Sequence, residues 1–155
     1  VEYGYIQDGM DIEIIADGIH VPKDLLHLLL KIKGVERISL VTDSMRAAGM
    51  PEGPSVLGGL SDGQDVIVED GVAKLMDRSA FAGSVATADR LVRTMVNVAG
   101  CSIGDAVRMI TENPARVMGI SDRKGSLKVG MDGDVVIFDK DINVRNTIIG
   151  GKIIF

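Results

Sequence analysis

Cysteine, histidine and basic clusters are all scarce in this 155-residue sequence, and each shortage excludes a class of function. The single cysteine, Cys101, cannot close an internal disulfide, so a reducing, cytoplasmic compartment is the expected setting. His20 and His27 are the only histidines; one falls in a predicted loop and the other in a predicted helix, which makes no metal-ligand signature. Lys and Arg number 17 against 22 acidic residues, a net charge of −5, and they nowhere cluster densely enough to neutralise a run of phosphates. Nucleic acid is therefore not an expected partner. The longest strongly apolar stretch, Leu25 to Leu30, is interrupted by His27 and falls far short of the roughly 20 residues a bilayer span needs, so no membrane partner or signal peptide is expected. Neither G-x-G-x-x-G nor the phosphate-binding G-x-x-x-x-G-K-[ST] occurs, which removes dinucleotide and P-loop chemistry.

What remains, 46% hydrophobic and 25% charged residues, is the composition of a globular chain. It starts at Val1 and runs at once into structured-looking sequence, as a portion of a longer protein would. Residues 1–120 alternate strand and helix signals, whereas 121–155 carry only strands and turns. Ile12 to Ala16 is an apolar strand. Pro22 then opens a helix whose Leu25, Leu26, Leu29 and Ile32 share a face and which stops at Gly34. Ile38 to Thr42 is a second buried strand, which completes a βαβ unit of the parallel type. A glycine- and proline-rich loop follows, then a hairpin insertion near 56–78 that turns at Glu69-Asp70-Gly71. Ser84, Ser102 and Asn113-Pro114 are expected to start three helices, and Val135 to Phe138, Val144 to Ile149 and Ile153 to Phe155 are the closing strands.

In a parallel unit the residues just past both strands emerge at one end of the sheet, where α/β folds place their ligand sites. His20 and Asp43 do so. Asp43 follows its strand without a spacer: there it either caps a turn, or moves a proton between water and a leaving group, or ligates a metal. His20 is either a helix-entry residue bonded to backbone or a ligand contact. Phe81-Ala82-Gly83-Ser84 leads from loop to a predicted helix start, an ordinary cap or an anion-binding segment.

Three blocks in order, Ile14-Ile15-Ala16-Asp17-Gly18-Ile19-His20-Val21, Leu40-Val41-Thr42-Asp43-Ser44-Met45 and Phe81-Ala82-Gly83-Ser84, resemble the N-acetylglucosamine-6-phosphate deacetylases of the amidohydrolase superfamily. The continuation Asn113-Pro114-Ala115-Arg116, then Arg123-Lys124-Gly125-Ser126-Leu127 with Gly130 and Asp134-Val135-Val136-Ile137, is similar too, although shared by many amidohydrolases. The resemblance implies an α/β chain that supplies the last strands and helices of a (β/α)8 metal-dependent hydrolase barrel (1–120) and the C-terminal part of a small β-sandwich domain (121–155). A whole barrel needs about 250 residues.

By that resemblance Asp43 is the catalytic aspartate that activates water and protonates the departing amine, and an additional metal ligand at most. Asp17, Gly18, Ile19 and His20 form the substrate-contacting loop, and Phe81, Ala82 and Gly83 line the pocket around the sugar and its acetamido group. The cofactor implied is a divalent metal ion, zinc first and iron or another metal next, with its glutamate and two histidine ligands upstream. The partners implied are an amino-sugar phosphate substrate and a second copy in a homodimer. Phe81 stands where leucine is usual, and Arg78-Ser79-Ala80 where a Gly-Thr turn is expected, which bears on sugar preference. The competing readings are an amidohydrolase acting on a cyclic amide and a non-catalytic sugar-phosphate-binding module.

Overall fold

The computed structural model describes residues 2–155. After a short helix α1 (Glu2–Ile6), strand β1 (Ile12–Ile14) and strand β2 (Ile38–Leu40) pair in parallel with Ile12 opposite Ile38 and Ile14 opposite Leu40. Helix α2 (Lys23–Lys33) connects them and buries Leu26 and Leu29 in the same apolar cluster as Ile38. Each such leucine contributes about 1.5–3 kcal/mol. Lys33, at the end of α2, is buried, and its ammonium donates to the carbonyls of Gly4 at 2.9 Å and Gln7 at 2.6 Å. Both carbonyls lie at the C-terminal end of α1, where a cation is favoured, and Gln7 O accepts from Met10 N at 3.1 Å as well.

Both strands are shorter than the apolar runs suggested. The pairing ends at Ile14 and Leu40 with one further bond, from Val41 N to Ile14 O at 3.0 Å. Residues 15–20 and 42–43 then leave the ladder as loops at the carboxyl end of the pair.

The predicted hairpin is the centre of a larger element. Strands β3 (Gly53–Leu57), β4 (Gln64–Glu69), β5 (Val72–Leu75) and β6 (Phe81–Gly83) form a four-stranded antiparallel sheet in that order. The tight turn between β4 and β5 needs positive φ at both central positions, 54° at Asp70 and 72° at Gly71, which Asp tolerates and Gly adopts freely. The sheet carries its own small core of Ala47, Val66, Val68 and Ala73. It is closed at its base by a parallel bridge between Ser44 and Ser84, with Met45 N bonded to Ser84 O at 2.9 Å.

Helices α3 (Ala88–Asn97), α4 (Ile103–Ile110) and α5 (Glu112–Val117) follow, and Leu91, Met95, Ala106 and Met109 join the main core. Ser102 caps α4 as expected: its Oγ accepts from Asp105 N at 3.1 Å. The other two caps are not formed. Ser84 Oγ accepts from Ala86 N at 3.0 Å in a local turn, and α3 starts later, after Thr87. Asn113 lies inside α5, which starts at Glu112, and its amide nitrogen donates to the carbonyls of Val35 and Ile38, both at 2.7 Å. The buried Ile38 carbonyl at the entry to β2 takes the amide as a donor, and Val35 O, which already accepts from Ile38 N, shares it, so the amide is not free to cap the helix.

Strands β7 (Val135–Phe138), β8 (Val144–Ile149) and β9 (Lys152–Ile153) complete the chain as a three-stranded antiparallel sheet. The last strand is shorter than expected, because Ile154 and Phe155 both turn their backbones onto Thr147.

Candidate active site

Asp43 sits just beyond β2 with φ 44°, a left-handed conformation that few residues other than Gly, Asn and Asp adopt readily. Its side chain is exposed and has no hydrogen-bond or ion-pair partner among the described residues. The reading of Asp43 as a turn cap therefore finds no bond to support it. One residue on, Ser44 pairs in parallel with Ser84 and its hydroxyl donates to Ala86 O, so Asp43 and Gly83 are brought side by side. Gly83 has φ 148°, in the range reserved for glycine, and a Cβ there would stand 3.7 Å from the Met45 side chain.

The loop after β1 is organised around Asp17. The Asp17 side chain is fully buried, its Oδ1 accepts from the backbone N–H of Ile19 at 2.9 Å and of His20 at 2.8 Å, and its Oδ2 meets His20 Nδ1 at 2.8 Å. Burial pushes the Asp17 carboxyl up, but the His20 ring and the two N–H groups together outweigh it, and the net displacement is below the ordinary aspartate value. The imidazole of His20 also packs against the Phe81 ring, with centroids 5.3 Å apart and planes tilted by 53°. Phe81 is half-exposed at the start of β6.

Of the residues singled out in the sequence, the structure joins Asp17, His20 and Phe81 by direct contact and places Asp43 beside Gly83. Gly18 is exposed and Ile19 half-buried in the same loop. Ala82 packs with the small core of the four-stranded sheet, so its side chain belongs to that sheet. His27 is exposed on α2, apart from these contacts.

Arg90 carries no motif, yet it ties the region together: its guanidinium donates to Asp17 O at 3.1 Å and to Gly71 O at 2.8 Å, linking α3 to the loop and to the β4–β5 turn. By sequence it lies within the helix expected to start at Ser84, with no signal to mark it, and the start of α3 at Ala88 puts it in the first turn. No group of three or more His, Cys, Asp or Glu among the described residues could hold a metal ion, so this chain by itself does not fit a complete metal site.

The model of the amidohydrolase family matches residues 1–154. The chain belongs to the amidohydrolase family. Members of this family are generally metal-dependent. Among curated relatives, the N-acetylglucosamine-6-phosphate deacetylase of Bacillus subtilis is 40% identical over 148 residues, covering 96% of this chain and 36% of that protein. The N-acetylgalactosamine-6-phosphate deacetylase of Escherichia coli O157:H7 is 37% identical over 142 residues, 92% of this chain and 36% of that protein. This amidohydrolase chain thus spans about a third of the length of such relatives. A solved structure of N-acetyl-D-glucosamine-6-phosphate deacetylase from Mycobacterium smegmatis, a variant in complex with N-acetyl-D-glucosamine-6-phosphate, superposes with a TM-score of 0.86 at 32% identity and covers 97% of this chain and 39% of that one. No helix among the described residues of this amidohydrolase is long and apolar enough to cross a membrane.

Proposed function

We propose that this chain is the C-terminal portion of a deacetylase that converts N-acetylglucosamine 6-phosphate and water to glucosamine 6-phosphate and acetate. The observation that carries the reading is the unpartnered Asp43 carboxylate at the end of β2, adjacent to the Phe81–Gly83 segment and in a family of hydrolases. Asp43 takes a proton from the attacking water and returns it to the amine nitrogen as the carbon–nitrogen bond breaks. His20 contacts the phosphorylated sugar, and Phe81 to Gly83 wall the pocket around the sugar and its acetamido group.

β1 and β2 are, on this reading, the last strands of a (β/α)8 barrel, and β7 to β9 the C-terminal share of a β-sandwich. Support comes from the exposed apolar residues of the C-terminal sheet, Ile149, Ile153 and Phe155 among them. A cavity of about 720 Å³ between that sheet and helices α3 and α4 supports it as well, since both are surfaces a larger domain would cover. The metal is zinc, held by ligands outside this chain, with Asp43 able to add one carboxylate. The protein works as a cytoplasmic homodimer.

The test is acetate release by the full-length protein from N-acetylglucosamine 6-phosphate, with N-acetylgalactosamine 6-phosphate in parallel because a relative named for that sugar is 37% identical. Turnover of the galacto epimer alone would move the substrate assignment. Turnover of neither would refute the reading.

A further inference from the structure

We propose that Asp17 is a positioning residue that fixes His20 in one tautomer, with Nδ1–H turned inward and Nε2 as the only ring nitrogen offered to a ligand. The inference rests on the proposed function for what that ligand is, a phosphorylated amino sugar, but the geometry stands without it.

A carboxylate only accepts hydrogen bonds, so the 2.8 Å contact between His20 Nδ1 and Asp17 Oδ2 requires the proton on Nδ1. The carboxylate cannot swing away, because Oδ1 is engaged by two backbone N–H groups of the same loop and the side chain is fully buried. The imidazole cannot turn over freely either, since the Phe81 ring packs against it at 5.3 Å. His20 Nε2, in contrast, has no partner among the described residues, and the side chain keeps 19% of its surface open. The lowered carboxyl pKa of Asp17 agrees with an anion that stays charged under the ring. Arg90 reaches the same loop only at the backbone oxygen of Asp17, so it steadies the loop and leaves the dyad to the two side chains.

The arrangement is tested by nitrogen-15 NMR of histidine-labelled full-length protein, recorded in the alkaline range where the His20 nitrogen signals no longer change with pH. The expected spectrum has His20 in the Nδ1–H tautomer, and a predominantly Nε2–H ring in the wild-type protein overturns the proposal whatever the variants do. Asp17→Asn should shift the ring toward Nε2–H, because an amide can donate to Nδ1. An unchanged tautomer in a folded variant overturns it as well.

In the acetate-release assay Asp17→Asn should raise KM for the phosphorylated sugar by about 2- to 13-fold, with a smaller fall in kcat. Combined with His20→Ala it should add little to the loss His20→Ala causes alone, whereas a purely structural role predicts that the two losses multiply, which would also overturn the proposal. Absence of deacetylase activity beside the expected tautomer would refute the proposed substrate and leave the Asp17–His20 assignment standing.

Discussion

Replacing Asp43 by Asn should separate catalysis from stability. The position demands a left-handed backbone, φ 44°, which Asn adopts about as readily as Asp, and the carboxylate has no partner among the described residues to lose. The change therefore removes a charge and nothing that holds the fold, so the stability cost should stay within about 0.5 kcal/mol, as for surface substitutions generally. Alanine is a poorer probe, because the left-handed conformation would cost it about 1–2 kcal/mol by itself. The effect on turnover is of another order. An amide cannot take and return the proton, and loss of one acid–base group typically costs about 10²- to 10⁴-fold, or about 2.7–5.4 kcal/mol of transition-state stabilisation. Acetate release by the full-length protein, measured beside a melting curve, reads both quantities. Turnover within a few-fold of wild type in a folded variant would refute Asp43 as the acid–base residue, and a fall in Tm beyond about 5 °C would refute the claim that its side chain is structurally idle.

His20→Ala should lower kcat/KM by about 2- to 13-fold, mainly through KM, if the unprotonated Nε2 accepts a hydrogen bond from a sugar hydroxyl. Unphosphorylated N-acetylglucosamine should show a similar loss, and a loss confined to the phosphorylated sugar would refute that contact. Asn113→Ala strips the side-chain donor from the buried Ile38 carbonyl, while Val35 O keeps Ile38 N, and should destabilise the chain by about 1–3 kcal/mol in urea unfolding; a change under about 0.5 kcal/mol would show that water replaces the amide. Asp139 is held down to about 2 by the backbone N–H and side-chain amide of Asn143, which outweigh the opposing effect of burial, with Arg145 and the Asp141 N–H adding to them. A folded pKa below the unfolded one means that its stabilising contribution is present above about pH 4 and lost as the pH falls toward 2. Asp139→Asn should flatten the stability profile across that window, and an unaltered acid limb would refute the assignment.

The parallel pairing of the first two strands, the connecting helix and the emergence of His20 and Asp43 beyond their strand ends were legible because runs of Ile and Leu bounded by Asp-Gly and Gly carry their own local physics. Asp70-Gly71 and Ser102 were legible for the same reason. Strand β3 was not. Gly53 and Pro54 read as loop residues, and only pairing with β4 makes them a strand. Asn113 has the chemistry of a helix cap but its amide is recruited by the entry to β2, and Ser84, whose hydroxyl serves a local turn at Ala86, is held by backbone pairing beside Ser44; no local window contains either long-range partner. Asp17 shows the converse limit: its place in the ADGIH block was plain, while its burial beneath His20 depends on how the loop folds back.

The bridge between Ser44 and Ser84 makes residues 45–83 an excursion that leaves and returns through one doorway. Segments anchored in this way are cheap to rebuild, since doubling the length of a closed loop adds only about 0.6 kcal/mol of entropy. Phe81 to Gly83 stand on the threshold of that excursion, whereas Asp43 lies outside it on the strand side. Under the proposed function, remodelling of the excursion during evolution would reshape the wall beside the substrate while the Asp43 carboxylate stays where the parallel strands put it, which would let selectivity among amino sugars drift without touching the reaction itself.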